Sequence, residues 1–184
     1  GEVLYFEPMK NHTTFKIGGP CDVLIMPSTT GQIIDALKVI KENGLAYMII
    51  GNGSNLLVSD KGIKKVIIKL HKNFSKITFE GNKIISQAGA TLKEIADFAL
   101  EQSLTGFEFA SGIPGDLGGA VTMNAGAYGG EMKDVLQSVK VIDKDLNVVD
   151  IDSSEMNLRY RNSRVQDENL IVLEATIALK EGDY

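Results

Sequence analysis

Tyr47-Met-Ile-Ile-Gly-Asn-Gly-Ser-Asn-Leu-Leu57 is the stretch on which the fold turns. Four apolar residues run directly into two glycines, two asparagines and a serine, the pattern of a buried strand that ends in a tight loop. Upstream, Val23 to Met26 reads as another short strand, followed by a predicted helix from about Thr29 to Asn43. Ile33, Ile34, Leu37 and Ile40 share one face of that helix, and Gly44 stops it. Strand, helix, strand implies a parallel βαβ unit whose loop lies at the carboxyl end of a strand, where α/β proteins place ligands. Leu56 to Val58 and Val66 to Leu70 read as further strands, and Val3 to Phe6 carries no assignment.

Further along the pattern changes from crossovers to hairpins. Ile77 to Glu80, a Gly81-Asn82 turn and Ile84 to Ala88 predict an antiparallel pair. A helix follows from Thr91 to Gln102, with Leu92, Ile95, Ala96 and Ala99 inward. Strands are expected at Val135 to Asp143, Val148 to Ile151 and Ile171 to Leu179, and Asp152 with Glu155 reads as a capping box. The switch places a boundary between residues 71 and 76, giving a first, βαβ-like subdomain over 1–71 and a second, mostly antiparallel one with helices over 72–184.

Composition narrows the function. With 184 residues, 43% hydrophobic and 23% charged, the chain can bury a core and is too apolar to be a solvated tail. A net charge of -5 with scattered lysines argues against nucleic acid. Cys21 is the only cysteine, so no internal disulfide forms; it reads as a small packing residue, and a reducing, cytoplasmic setting is expected. No apolar run reaches membrane-spanning length, no metal site is suggested, and no obligate protein partner is evident.

Two loops carry the chemistry. Gly51 to Asn55 contains no cation, so any anion it holds is held by backbone N–H groups, the Ser54 hydroxyl and the amides. A tight turn that needs positive φ accounts for the same residues, and the loop alone does not choose between the two. Between Gly106 and Gly130 lie eight of the nineteen glycines. Each forgoes side-chain contacts and costs backbone entropy, so close backbone approach to a large ligand explains their density better than structure alone. Neither loop supplies the GxxxxGK[ST] of a P-loop or a GxGxxG that opens a helix. His12 and His71 lie outside both glycine loops and read as exposed or turn histidines.

Six motifs in order make the sequence recognisable: Asn11-His-Thr-Thr-Phe-Lys-Ile-Gly-Gly19, Gly51-Asn-Gly-Ser-Asn-Leu-Leu57, Gly112-Ile-Pro-Gly115, Gly118-Gly-Ala120, Met123-Asn-Ala-Gly-Ala-Tyr-Gly129 and Tyr160-Arg-Asn-Ser163. Together they resemble the enolpyruvoylglucosamine reductase family. The resemblance implies an α+β fold of the p-cresol methylhydroxylase and vanillyl-alcohol oxidase type, two α+β subdomains with non-covalent FAD. By it, Gly51, Asn52, Gly53, Ser54, Asn55 and Leu56 line the FAD diphosphate. Gly115, Gly118, Gly119, Asn124 and Gly126 approach the diphosphate and flavin, Ile113 and Pro114 lie near the ring, and Ile171 or Val172 touches the adenine end. Position 116 departs from the pattern, because Asp116 stands where a small hydroxyl residue is usual and a carboxylate beside a diphosphate is repulsive unless turned away.

The family pattern makes Tyr160 and Arg161 the substrate-facing pair. It implies an NADPH-dependent reductase in peptidoglycan precursor synthesis that converts UDP-N-acetylglucosamine enolpyruvate to UDP-N-acetylmuramate. Arg161 would hold the substrate carboxylate and stabilise the charge that develops toward it, and Tyr160 would donate to a substrate phosphate. The proton-donating serine and assisting glutamate of the family lie in a C-terminal substrate domain, so Ser163 is not given that role. The chain is expected to stop before that domain and, alone, to bind FAD with little turnover. A different flavin oxidase on the same domain type, or a stand-alone flavin- or nucleotide-binding module, are the competing readings.

Overall fold

A computed structural model describes residues 1–182, which divide into two compact units, Gly1–Phe74 and the remainder from Ser75 onward. The chain is α+β.

The first unit holds strands β1 (Glu2–Tyr5) and β2 (Cys21–Met26), helix α1 (Thr30–Glu42), and strands β3 (Tyr47–Ile50) and β4 (Ile63–Lys69). They form one sheet in the order β1-β2-β4-β3. The stretch Val3 to Phe6 thus supplies most of an edge strand, antiparallel to β2. Strands β2 and β3 are parallel, joined through α1, but β4 lies between them and pairs in parallel with both. Helix α1 begins where Thr29 accepts a hydrogen bond from the Gln32 N–H at 3.2 Å, satisfying a backbone donor that no earlier turn can reach. It ends at Asn43, with Gly44 at φ +61°. Ile33, Leu37 and Ile40 are its buried face. Met9, Cys21, Leu24, Ile50, Val58 and Ile67 make the core, and burial pushes the Cys21 thiol pKa up.

One expectation fails in this unit. Leu56 to Val58 is not a strand: β3 keeps a free edge, but the run packs against the segment around Met9 and Gly18 and is tied to it by the Gly19 N–H donating to the Ser59 carbonyl. The residues stay extended enough to alternate, with Val58 in the core and Leu57 exposed.

The second unit starts with the hairpin β5 (Ile77–Glu80) and β6 (Lys83–Gln87), followed by α2 (Leu92–Glu101) and the short β7 (Leu104–Thr105). Then come α3 (Leu117–Thr122), the two-residue strands β8 (Gly126–Ala127) and β9 (Gly130–Glu131), β10 (Leu136–Ile142), β11 (Val148–Asp152), α4 (Arg164–Asp167), β12 (Ile171–Ala178) and β13 (Lys180–Glu181). The main sheet runs β11-β10-β12-β6-β5 and is antiparallel throughout. A full capping box opens α2, with the Thr91 hydroxyl bonded to the Glu94 N–H and the Glu94 carboxylate to the Thr91 N–H. Asp152 accepts from the Ser154 N–H instead, and the turn it opens is a single 3₁₀ turn, Ser153–Glu155. Ile84, Leu92, Ile95, Val139, Ile177 and Leu117 are all fully buried.

Candidate functional site

Each unit carries one of the loops. In the first, the backbone of Gly53 is left-handed at φ +70°, and a Cβ there would run into the carbonyl oxygen of His12. The Thr14 N–H donates to the Gly53 carbonyl at 3.2 Å. The segment after the 3₁₀ turn Met9–Asn11 therefore braces the loop. Gly51, Asn52, Gly53 and Ser54 are half-buried and Asn55 is exposed, while Leu56 leans onto the core of the unit.

His12 is not the exposed turn residue that the sequence suggests. Its side chain is 11% exposed, with Nε2 3.0 Å from the Glu7 carboxylate and Nδ1 3.3 Å from the Lys69 ammonium. An ammonium only donates, so Nδ1 accepts and Nε2 carries the hydrogen that Glu7 receives. Asn11 donates to the same Glu7 oxygen at 3.1 Å. That bond first, and His12 after it, hold the Glu7 carboxyl below its ordinary range. Lys69, buried at the end of β4, stands in register with Ile50.

In the second unit, Gly115 to Gly118 lies along residues 88–92. The Leu92 N–H donates to Gly115, Leu117 to Ala90 and Gly118 to Ala88, each at 2.9 Å. Gly118 is needed for that closeness, since a Cβ would come to 3.0 Å from the Ala88 methyl. Asp116 occupies the N-cap position of α3, is buried, and makes no side-chain capping bond. Gly112 and Gly119 differ from their neighbours. Both are exposed, neither has positive φ, and an added Cβ would meet nothing within 4 Å. Nothing in the chain itself requires glycine there, and backbone left bare beside open space is what a close-lying planar ligand needs. Ile113 is half-buried and Pro114 exposed next to Gly112. These residues fit FAD, with the bare backbone of Gly112 and Gly119 as the observation that supports the fit.

Beyond α3 the backbone is held by side chains. Asn124, buried at φ +44°, donates to Glu131 at 2.7 Å and accepts from the Lys133 N–H at 2.9 Å. Lys133 and then Asn124 hold the Glu131 pKa down. Gly126 faces the Gly130 carbonyl too closely to admit a Cβ. Ile171 and Val172 are core residues of β12, Ile171 in register with Ile142. The Asn124 side chain is engaged within the chain, and that of Ile171 is packed in the core.

Tyr160 and Arg161 form the tip of a two-residue turn closed by reciprocal bonds between Arg159 and Asn162, both 3.1 Å, with Arg161 at φ +55°. The tip is fastened to the end of α3. Buried Ser163 donates to the Thr122 carbonyl at 2.7 Å, and the Gln166 amide reaches both Thr122 and Arg161 carbonyls. Ser163 is thus a fastening. Three arginines surround the tip with different fates. Arg159 makes a two-pronged contact with Asp167 at 2.8 and 3.0 Å, which holds the Asp167 pKa down. Arg164 pairs with Glu168 at 2.8 Å. The exposed Arg161 guanidinium has no hydrogen bond or carboxylate partner among the described residues. Tyr160 beside it is 88% exposed.

Among the described residues no group of three or more His, Cys, Asp or Glu is placed to hold a metal, and no helix is long and apolar enough to cross a membrane.

The model of the family described as "FAD binding domain" matches residues 21–152. Two relatives, the UDP-N-acetylenolpyruvoylglucosamine reductases of Alkaliphilus oremlandii and Clostridium botulinum, are 51% and 52% identical. Each alignment takes in 99% of this chain and 60% or 59% of the relative. The crystal structure of UDP-N-acetylenolpyruvylglucosamine reductase from Thermus caldophilus superposes with a TM-score of 0.83 at 33% identity, covering 99% of this chain and 63% of that one. The chain therefore spans about 60% of the length of the curated relatives it matches.

Proposed function

The chain belongs to the FAD binding domain family, and from that premise we propose that it is the flavin-holding part of an NADPH-dependent reductase. Its substrate is UDP-N-acetylglucosamine enolpyruvate, its product UDP-N-acetylmuramate, and its setting the cytoplasmic synthesis of peptidoglycan precursors for cell-wall growth, shape and division. The names of the half-identical relatives support this reading. So does the unmatched cation at the Tyr160-Arg161 tip, the observation on which it chiefly rests.

The two units serve as the two FAD-binding subdomains. Gly51 to Asn55 and Leu56 form the diphosphate seat in one; Gly115, Gly118, Gly119, Asn124 and Gly126 shape the flavin side in the other, with Ile113 and Pro114 near the ring and Ile171 toward the adenine. When bound, FAD supplies the two-electron carrier between NADPH and substrate. Arg161, charged at every working pH, holds the substrate carboxylate in a fork of N–H donors and offsets the negative charge that builds on that side during reduction. A tip pinned at Thr122 keeps that fork in place, because its backbone is fixed from both sides. Tyr160 reaches outward to donate to a phosphate of the nucleotide sugar.

The test is Arg161→Met in the enzyme extended to the length of its relatives. Turnover per unit KM should fall about 100- to 1000-fold, the usual loss when one charge-stabilising donor is removed, while flavin absorbance after gel filtration stays at wild-type level. Unchanged turnover would remove Arg161 from the mechanism.

A further inference from the structure

A diphosphate is doubly charged, and the loop assigned to hold it, together with its flanks from Tyr47 to Leu57, contains no charged residue. Backbone dipoles alone hold anions in many proteins, but a buried cation behind such dipoles adds to them because little water screens it. Lys69 is a buried cation on the strand beside the one that leads into the loop. It stands in register beside Ile50, the residue immediately before the loop, and the residue is 9% exposed. Its ammonium lies 3.3 Å from His12 Nδ1, and the His12 carbonyl is the group against which Gly53 packs. His12 thus meets Lys69 with its ring and the Gly53 backbone with its carbonyl. Behind His12, Glu7 fixes the ring from the other nitrogen, so the imidazole presents its lone pair to Lys69.

We infer that Lys69 is the cation of the diphosphate seat, holding a buried positive charge behind the Gly51–Asn55 loop and positioned there by His12. This rests on the assignment of that loop to the diphosphate. The selectivity that follows is for phosphate charge and not for the flavin ring, so a ligand with the ring and without phosphates gains nothing from Lys69.

The experiment titrates the chain with FAD and with riboflavin, following flavin fluorescence, in wild type, Lys69→Met, Lys69→Arg and Ser54→Leu. Lys69→Met should weaken FAD about tenfold, leave riboflavin unchanged, and be largely rescued by Lys69→Arg. A folded Lys69→Met chain that binds FAD like wild type, or that loses FAD and riboflavin equally, overturns the inference. Where Lys69→Met does not fold, His12→Gln decides: it leaves the lysine in place without its imidazole, and should weaken FAD about threefold with riboflavin unmoved. Undiminished FAD binding in His12→Gln counts against the inference. Ser54→Leu separates the two layers of argument. If it abolishes FAD binding while Lys69→Met does not, the loop assignment stands and only the lysine's role falls; if it binds FAD normally, the loop is not the seat and both fall.

Discussion

At Gly53 an added Cβ strikes the chain's own backbone, whereas at Gly112 and Gly119 it meets nothing. Glycine thus serves opposite ends at these positions. The first loop is shaped by internal demand: a left-handed residue wedged against His12, braced by a polar chain from Glu7 to Lys69. The second mixes both: Gly118 and Gly126 answer close internal contacts, while Gly112 and Gly119 leave bare backbone that none requires, next to a stretch that side chains such as Asn124 hold in place. Glycine density in sequence marks both alike. Only the surroundings show which glycines the chain needs for itself and which leave room for another molecule.

That contrast breaks or sharpens at defined positions. The largest effect is expected at Gly53→Ala, which combines positive φ with a backbone collision and should cost about 3 kcal/mol of unfolding free energy, read by thermal or denaturant melting. A stable Gly53→Ala would erase the distinction. Asn124→Ala should cost about 2 kcal/mol, since it leaves Glu131 and the Lys133 N–H without their partner and puts alanine at positive φ. Gly119→Leu should behave in the opposite way, melting with wild type to within about 0.5 kcal/mol while FAD binds at least about tenfold more weakly. If it melts early and keeps its flavin, Gly119 belongs with Gly53.

The smallest effect is a pH dependence confined to the first unit. Glu7 has a depressed pKa in the folded chain, so its contribution is complete above the ordinary carboxylate value of about 4.3. It is lost as pH falls from there through the folded value. Glu7→Gln should therefore be less stable than wild type at pH 7, and the gap should close in acid. A gap that persists unchanged at low pH would mean the carboxylate charge is irrelevant to the brace.

What was legible in the sequence was local. The helices from Thr29 and Thr91 are written in their apolar spacing, and the β5–β6 hairpin in its alternation and its Gly81-Asn82 turn, whereas the box read at Asp152 and Glu155 forms only as a bond from the Ser154 N–H to Asp152. Leu56 to Val58 misled because an apolar run has strand character whether it joins a sheet or packs against a neighbouring segment. The pairing of His12 with Lys69 spans 57 residues, and no periodicity reports it. The signal was still present: Lys69 interrupts Val66-Ile-Ile with a charge inside a run otherwise wholly buried, and a lysine kept there asks for a reason. The Tyr160-Arg161 tip was found through its motif, but the neutralisation of its neighbours by Asp167 and Glu168, which singles out Arg161, depends on a turn that only folding creates.

The antiparallel sheet of the second unit has an unusual order of events written into it. Strand β6, formed early in the chain, has β12 as one neighbour, and Asn82 at its foot bonds to Leu179, 97 residues later. A ribosome adding about 5 to 20 residues per second leaves the β6 edge of that half-finished sheet exposed for roughly 5 to 20 s. In the first unit, closed by Phe74, the wait is shorter, because β2 meets β4 within that unit. In the cell, chaperone contact and aggregation during synthesis should therefore fall on nascent chains that have emerged past β6 and not yet reached β12.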